Sequence, residues 1–208
     1  MFALVESGSI TKFLNGNRGI QIGDIKHSAD IFSNKWTESE RNAIGIYTIE
    51  IDKTNFKDIE YYINTDITYA FGSGKVTGSY GTATAKPHAD TLWTQQDKDD
   101  GLLGDRSIGD VKNEGLKTIK KREIDGQCAQ ILAPSDYMAI KAAEGITMDS
   151  GWKTWRGNVR TKCNSMQTAI TNAADTAAIE TLFTYTTTDG VTSRPLGEFP
   201  EFQLIIVW

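Results

Sequence analysis

Chemistry in this 208-residue chain would have to begin from its nucleophiles, bases and metal ligands, and these are few and scattered. The two histidines, His27 and His88, have no carboxylate or cysteine at a metal-ligand spacing, and neither sits in a nucleophile motif. Both are expected to be ordinary loop residues. Gly72-Ser73-Gly74-Lys75 has the flavour of a phosphate loop, but such a loop needs a longer glycine-to-lysine spacing between a strand and a helix. Here Val76 continues a strand. Asp97-Lys98-Asp99-Asp100-Gly101 hints at a calcium loop but lacks the alternating ligands and closing glutamate, so a solvated acidic loop is the expectation. Acid pairs such as Asp58/Glu60 and Asp52/Asp66 would serve glycoside hydrolysis only if folding brought the carboxyls to about 5–9.5 Å, and nothing in the sequence requires that. Cys128 and Cys163 fall in helical segments without a CxxC pair and read as free thiols of a protein made in a reducing cytoplasm. The expectation is a non-enzymatic protein with no catalytic residue, no cofactor and no metal.

One constellation stands apart. Trp152, Trp155, Arg156 and Arg160 lie close together on one amphipathic helix, with Trp152, Trp155 and Val159 on one face and Arg156 and Arg160 as an adjacent i, i+4 stripe. Two readings stay open. The tryptophans fill a core against Met138 and Ile140 while the arginines pair with nearby acids. Alternatively, the cluster anchors a partner protein, since Trp and Arg are favoured in interface hot spots. A second surface of the same kind is the apolar end, where Phe202, Leu204, Ile206 and Trp208 read as a strand able to add to a neighbour's sheet.

The elements that would position these residues change character along the chain. With 39% hydrophobic residues the chain can bury a core, and its 19 glycines indicate many turns. Phe2–Val5 and Ser9–Phe13 read as a hairpin about Glu6-Ser7-Gly8, and Thr37 with Glu40 makes a capping box for a short helix. Strands are expected at Ile46–Ile51, Tyr61–Ala70 and Val76–Ala85. After Pro87 the period becomes helical, from about Ile108 to Ala133, then Ser135 to Gly145, then from Asp149-Ser150 through Ile170, then Asp175 to Phe183. Thr184–Arg194 reads as a Thr-rich loop. The fold class is α+β: a small β-rich N-terminal domain over 1–92, a linker over 93–107, and a helical C-terminal domain of three or four helices over 108–208 ending in a strand.

Net charge −5, from 22 basic and 27 acidic residues, argues against a nucleic-acid partner, because phosphate neutralisation supplies most of such affinity. No apolar run approaches the roughly 20 residues that span a bilayer, and the N-terminus lacks the basic and apolar regions of a signal peptide, so no membrane association is expected.

The opening MFALVESGSITKF resembles the start of tailed-phage structural proteins, and Asp30 to Tyr47 resembles the Trp, acidic helix and A-x-G-I-Y segment that follows it there. Ile131-Leu132-Ala133-Pro134-Ser135-Asp136-Tyr137-Met138, Trp155-Arg156-Gly157-Asn158-Val159-Arg160 and Phe199-Pro200 near the end resemble the helical module of phage tail fibre assembly chaperones and related tail proteins. There an L-x-x-(S/T)-D-(W/Y) turn precedes a (W/Y)-R-x-x-(L/V)-R helix. Tyr137 stands where Trp is more usual, and an apolar run replaces the frequent proline-rich ending. The resemblance implies no catalysis. It implies a virion component of the tail, made in the bacterial host cytoplasm, that connects or anchors fibres to the tail or baseplate. The partners would be other tail or fibre proteins and copies of the chain itself, as a trimer or an oligomer matching tail symmetry. A fibre assembly chaperone absent from the mature particle is the alternative.

Overall fold

The computed structural model describes residues 1–201, and the chain divides into two compact units, Met1–Thr84 and the part from Ala85 onward. The class is α+β, with a β-rich N-terminal region and a helical C-terminal region.

The first unit begins with the expected hairpin. β1 (Phe2–Glu6) pairs antiparallel with β2 (Ser9–Leu14) through a turn in which Ser7 and Gly8 have φ of 51° and 79°. Two positive φ values in a two-residue loop match the right-handed twist of the flanking strands. A small hairpin, β3 (Ile20–Ile22) with β4 (Ile25–His27), follows. Helix α1 (Glu38–Ala43) starts on the expected capping box: the Glu40 amide donates to Thr37 Oγ1 and the Thr37 amide donates to Glu40 Oε2. β5 (Ile46–Asp52), β6 (Tyr62–Ile63), β7 (Ile67–Gly72) and β8 (Lys75–Tyr80) complete the unit, and β9 (Thr84–Ala85) lies at its boundary.

The main sheet runs β2-β1-β5-β8-β7, antiparallel except for the parallel β5–β8 pair. It curls, so that Phe13 of edge strand β2 meets Tyr69 of the opposite edge strand β7 with ring centroids 4.8 Å apart. Gly78 permits this curvature: a Cβ there would lie within 2.9 Å of side-chain atoms of Tyr69, Ile51 and Ile67. Alternation along β1 covers both sheet faces. Ala3 and Val5 pack with Val76, Ile10, Tyr47 and Phe71, while Leu4 packs with Leu14, Ile20, Ile31 and Ile46.

The second unit does not open with a bare loop. β10 (Thr91–Leu92) pairs with β11 (Val111–Asn113), and between them stands a one-turn helix α2 (Gln95–Asp99), inside the stretch read as a linker. Asp97 closes a capping box with Thr94 and also meets Lys112 Nζ at 2.5 Å. The Trp93 ring is flanked by Arg106 and Lys112 at 5.2 and 4.6 Å. Strand pairing at Val111 explains why the first long helix, α3 (Leu116–Leu132), starts at Leu116 rather than at about Ile108 as periodicity suggested. Gly115 offers no side-chain cap, and Asp90 supplies one from a distance by accepting from the Gly115 amide and the Thr118 hydroxyl. Those donors hold its carboxyl below the ordinary range.

A 3-10 turn, Ala133–Ser135, leads into α4 (Asp136–Ala143). α5 (Ser150–Asn172) and α6 (Thr176–Phe183) begin where the sequence suggested, and the structure places Asp149 and Asp175 as their N-caps. The core joins Ile124 and Cys128 of α3 to Val159, Cys163, Met166 and Ile170 of α5, with Leu196 over them. Residues 184–194, read as a loop, contain a hairpin, β12 (Thr186–Thr188) with β13 (Val191–Ser193). Its turn, Asp189-Gly190, has φ of 51° and 78°.

Candidate functional site

The Trp/Arg cluster is on α5, which Asp149 starts by accepting from the Gly151 and Trp152 amides. The apolar stripe expected from the sequence runs along this helix, but its two ends behave differently. Val159, Met166 and Ile170 are fully buried. Trp155 is half-buried against that core, and its indole N–H donates to the Pro200 carbonyl at 2.9 Å. Trp152 stands edge-on to Trp155 at 5.6 Å, half-buried.

Arg156 is 5% exposed, and its guanidinium donates to the Leu132 carbonyl at 3.0 Å, to Ser135 Oγ, and to Asp136 Oδ1 at 2.7 Å. Ser135 is itself fully buried and donates to the same Leu132 carbonyl. The end of α3, the 3-10 turn and the start of α4 are therefore clamped onto α5 by one cation. Leu132, Ser135 and Asp136 are fixed positions of the turn stretch quoted above, and Arg156 is the first of the two arginines of the helix stretch 20 or more residues on. Folding brings the two pieces together.

Arg160 remains exposed, one turn beyond Arg156. Between α4 and α5 lies a groove of about 420 Å³ lined by Ala139, Ala142, Ile146 and Met148 on one side and by Lys153, Arg156 and Arg160 on the other. A neighbouring hollow of about 260 Å³ lies against Met138, Ile146, Met148 and Trp152. Ile140, read as a core partner of the tryptophans, is 61% exposed, as is Tyr137 at 62%. An eight-residue helix with apolar residues around most of its surface cannot bury them all against one neighbour. This exposed face is the feature that periodicity missed, and the crowding of Tyr137, Met138, Ala139, Ile140, Ala142 and Ala143 was its signal. Phe202, Leu204, Ile206 and Trp208 lie outside the described residues.

The other candidates are accounted for locally. His27 meets the Trp36 ring edge-on at 6.1 Å, and the His88 carbonyl accepts from the Lys117 amide. Gly72–Lys75 form the β7–β8 turn, with Lys75 paired to Glu50. Asp52 accepts from Thr54, and Asp58 accepts from the Glu60 amide. Cys128 and Cys163 are buried free thiols, and burial together with Cys128 and Asp125 pushes the Cys163 thiol up to about 12. Among the described residues, no group of three or more His, Cys, Asp or Glu side chains is arranged to hold a metal ion, and no helix is long and apolar enough to cross a membrane.

Comparison with family models, with curated proteins and with solved structures found no match for this chain.

Proposed function

We propose that the chain is a non-enzymatic structural component of a bacteriophage tail, connecting or anchoring fibres to the tail or baseplate through protein–protein contacts. The observation that carries this reading is the convergence of the two resembling motifs. Leu132, Ser135 and Asp136 of the turn and Arg156 of the helix form one hydrogen-bonded unit, as pieces of a single module should. That unit presents α4 with Tyr137 and Ile140 exposed, a surface suited to binding rather than to turnover. Copies of the chain associate with one another and with neighbouring tail or fibre proteins. The site of action is the virion tail.

Quantitative mass spectrometry of gradient-banded particles from a source carrying this gene tests the reading. Detection at a fixed copy number relative to the major tail subunits is the expected result. Absence from particles, with abundance in the infected lysate, overturns it in favour of a fibre assembly chaperone.

A further inference from the structure

The groove beside Arg156 has an unusual balance of charge for a protein of net charge −5. Arg156 spends its charge on Asp136. Among the described residues, the side chains of Lys153 and Arg160 are exposed and in none of the ion pairs, and none of the residues lining the groove is acidic. Lys153 and Arg160 are seven positions apart on α5, so they flank the groove about 10.5 Å apart along the helix axis. Its opposite wall, Ala139, Ala142, Gly145, Ile146, Thr147 and Met148, is uncharged and mostly apolar, with Thr147 as its one polar side chain. An occupant must therefore carry an aliphatic side chain between carboxylates.

The chain displays such a segment elsewhere in the same unit. From the last residue of α2 onward, the sequence Asp99-Asp100-Gly101-Leu102-Leu103-Gly104-Asp105 buries Leu103 and exposes its neighbour Leu102 by 56%, with Asp99, Asp100 and Asp105 also exposed. The segment is held in shape rather than left loose. The Leu102 amide donates to the Asp97 carbonyl at 2.9 Å, and Asp97 is anchored by Thr94 and Lys112. Gln95 and Gln96 donate to Asp99 and Asp100, leaving the second oxygen of each carboxylate available to a cation.

We infer that the groove between α4 and α5 receives the acidic Asp99–Asp105 segment of a second copy of this chain, with Leu102 against Ile146 and Met148 and the carboxylates toward Lys153 and Arg160. The inference rests on the reading of the chain as a self-associating structural protein, and supplies the contact. Because groove and segment are different surfaces, the contact is head-to-tail, and repetition closes a ring or extends a filament according to the rotation between copies. A nucleic acid fits the groove less well. Two cations neutralise at most two phosphates, and the mostly apolar wall offers little to a sugar–phosphate backbone.

Analytical ultracentrifugation of the full chain at low and high salt tests this. Wild type should self-associate reversibly, more weakly at high salt. Lys153→Glu/Arg160→Glu and Asp99→Lys/Asp100→Lys should each weaken association about tenfold or more while leaving the circular dichroism and unfolding midpoint unchanged. An equimolar mixture of the two charge-reversed variants should associate again, because each then offers the sign the other lacks. Monomer at every concentration, association indifferent to both reversals, or no recovery on mixing would overturn the inference. A short duplex DNA added to wild type should leave its sedimentation unchanged; saturable binding abolished by the groove reversal would assign the groove to polyanions instead. Each of these results is independent of whether the chain is found in particles, so failure here and failure of the tail reading are separable.

Discussion

The two ends of α5 use the same amphipathic repeat for different purposes. Toward its C-terminus, Val159, Cys163, Met166 and Ile170 enter an apolar core with Ile124 and Cys128. Toward its N-terminus the stripe meets a turn instead of an apolar face, and the buried position is taken by Arg156, whose partners are a carbonyl, a hydroxyl and a carboxylate. One end holds by dispersion and apolar burial, the other by directional bonds to a helix break. The lesson is that a periodic stripe fixes which face turns inward, while the neighbour's chemistry decides what that burial achieves. At the N-terminal end it orients α4 and leaves a groove open.

The apolar end of α5 should be the more sensitive to truncation. Met166→Ala removes a fully buried side chain and should cost about 3 kcal/mol in urea unfolding, whereas Trp152→Ala, half-buried at the other end, should cost clearly less. Arg156→Leu keeps the volume and deletes the donors. It should cost about 2 kcal/mol, because the buried Ser135 hydroxyl and the Leu132 carbonyl each lose a partner. Near-equal losses from Met166→Ala and Trp152→Ala would erase the distinction between the ends.

A second directional anchor sharpens it. The Lys112 ammonium and the Thr94 hydroxyl and amide hold the Asp97 carboxyl down to about 2. Its folded value lies below the unfolded value of about 3.9, so this stabilisation is complete above roughly pH 4 and is lost as pH falls toward 2. Thermal melts should show the midpoint falling through that window, and Asp97→Asn should flatten the fall. The smallest effect is expected on the exposed face of α4: Tyr137→Ser and Ile140→Ser should each change stability by less than about 0.5 kcal/mol, as measured by urea unfolding. A larger loss would mean that this face is packed rather than presented.

What the sequence displayed was local. The Thr37–Glu40 capping box, the starts of α5 and α6 and the α5 stripe each depend on residues within a few positions, and each forms as read. The start of α3 did not, because Val111–Asn113 pairs with a strand some 20 residues earlier and takes them from the helix. The hairpin at Thr186–Ser193 was visible in Asp189-Gly190, a two-residue turn signal, but the surrounding threonines gave no alternation of apolar and polar side chains. The destination of Arg156 was hidden for a different reason. Resemblance alone had singled out the stretches that hold Ser135, Asp136 and Arg156, while only folding shows that they touch. Until then, a buried bracket and an exposed hot spot are the same letters.

Arg156 works as a bracket to the turn, so its energy should be shared with Ser135. A double-mutant cycle of Ser135→Ala and Arg156→Leu, read by urea unfolding, measures that sharing. A coupling of about 1 kcal/mol, with the double variant less destabilised than the sum of the single ones, is the expected result. Strict additivity would contradict the account and leave Arg156 as a side chain that merely happens to lie beside the turn.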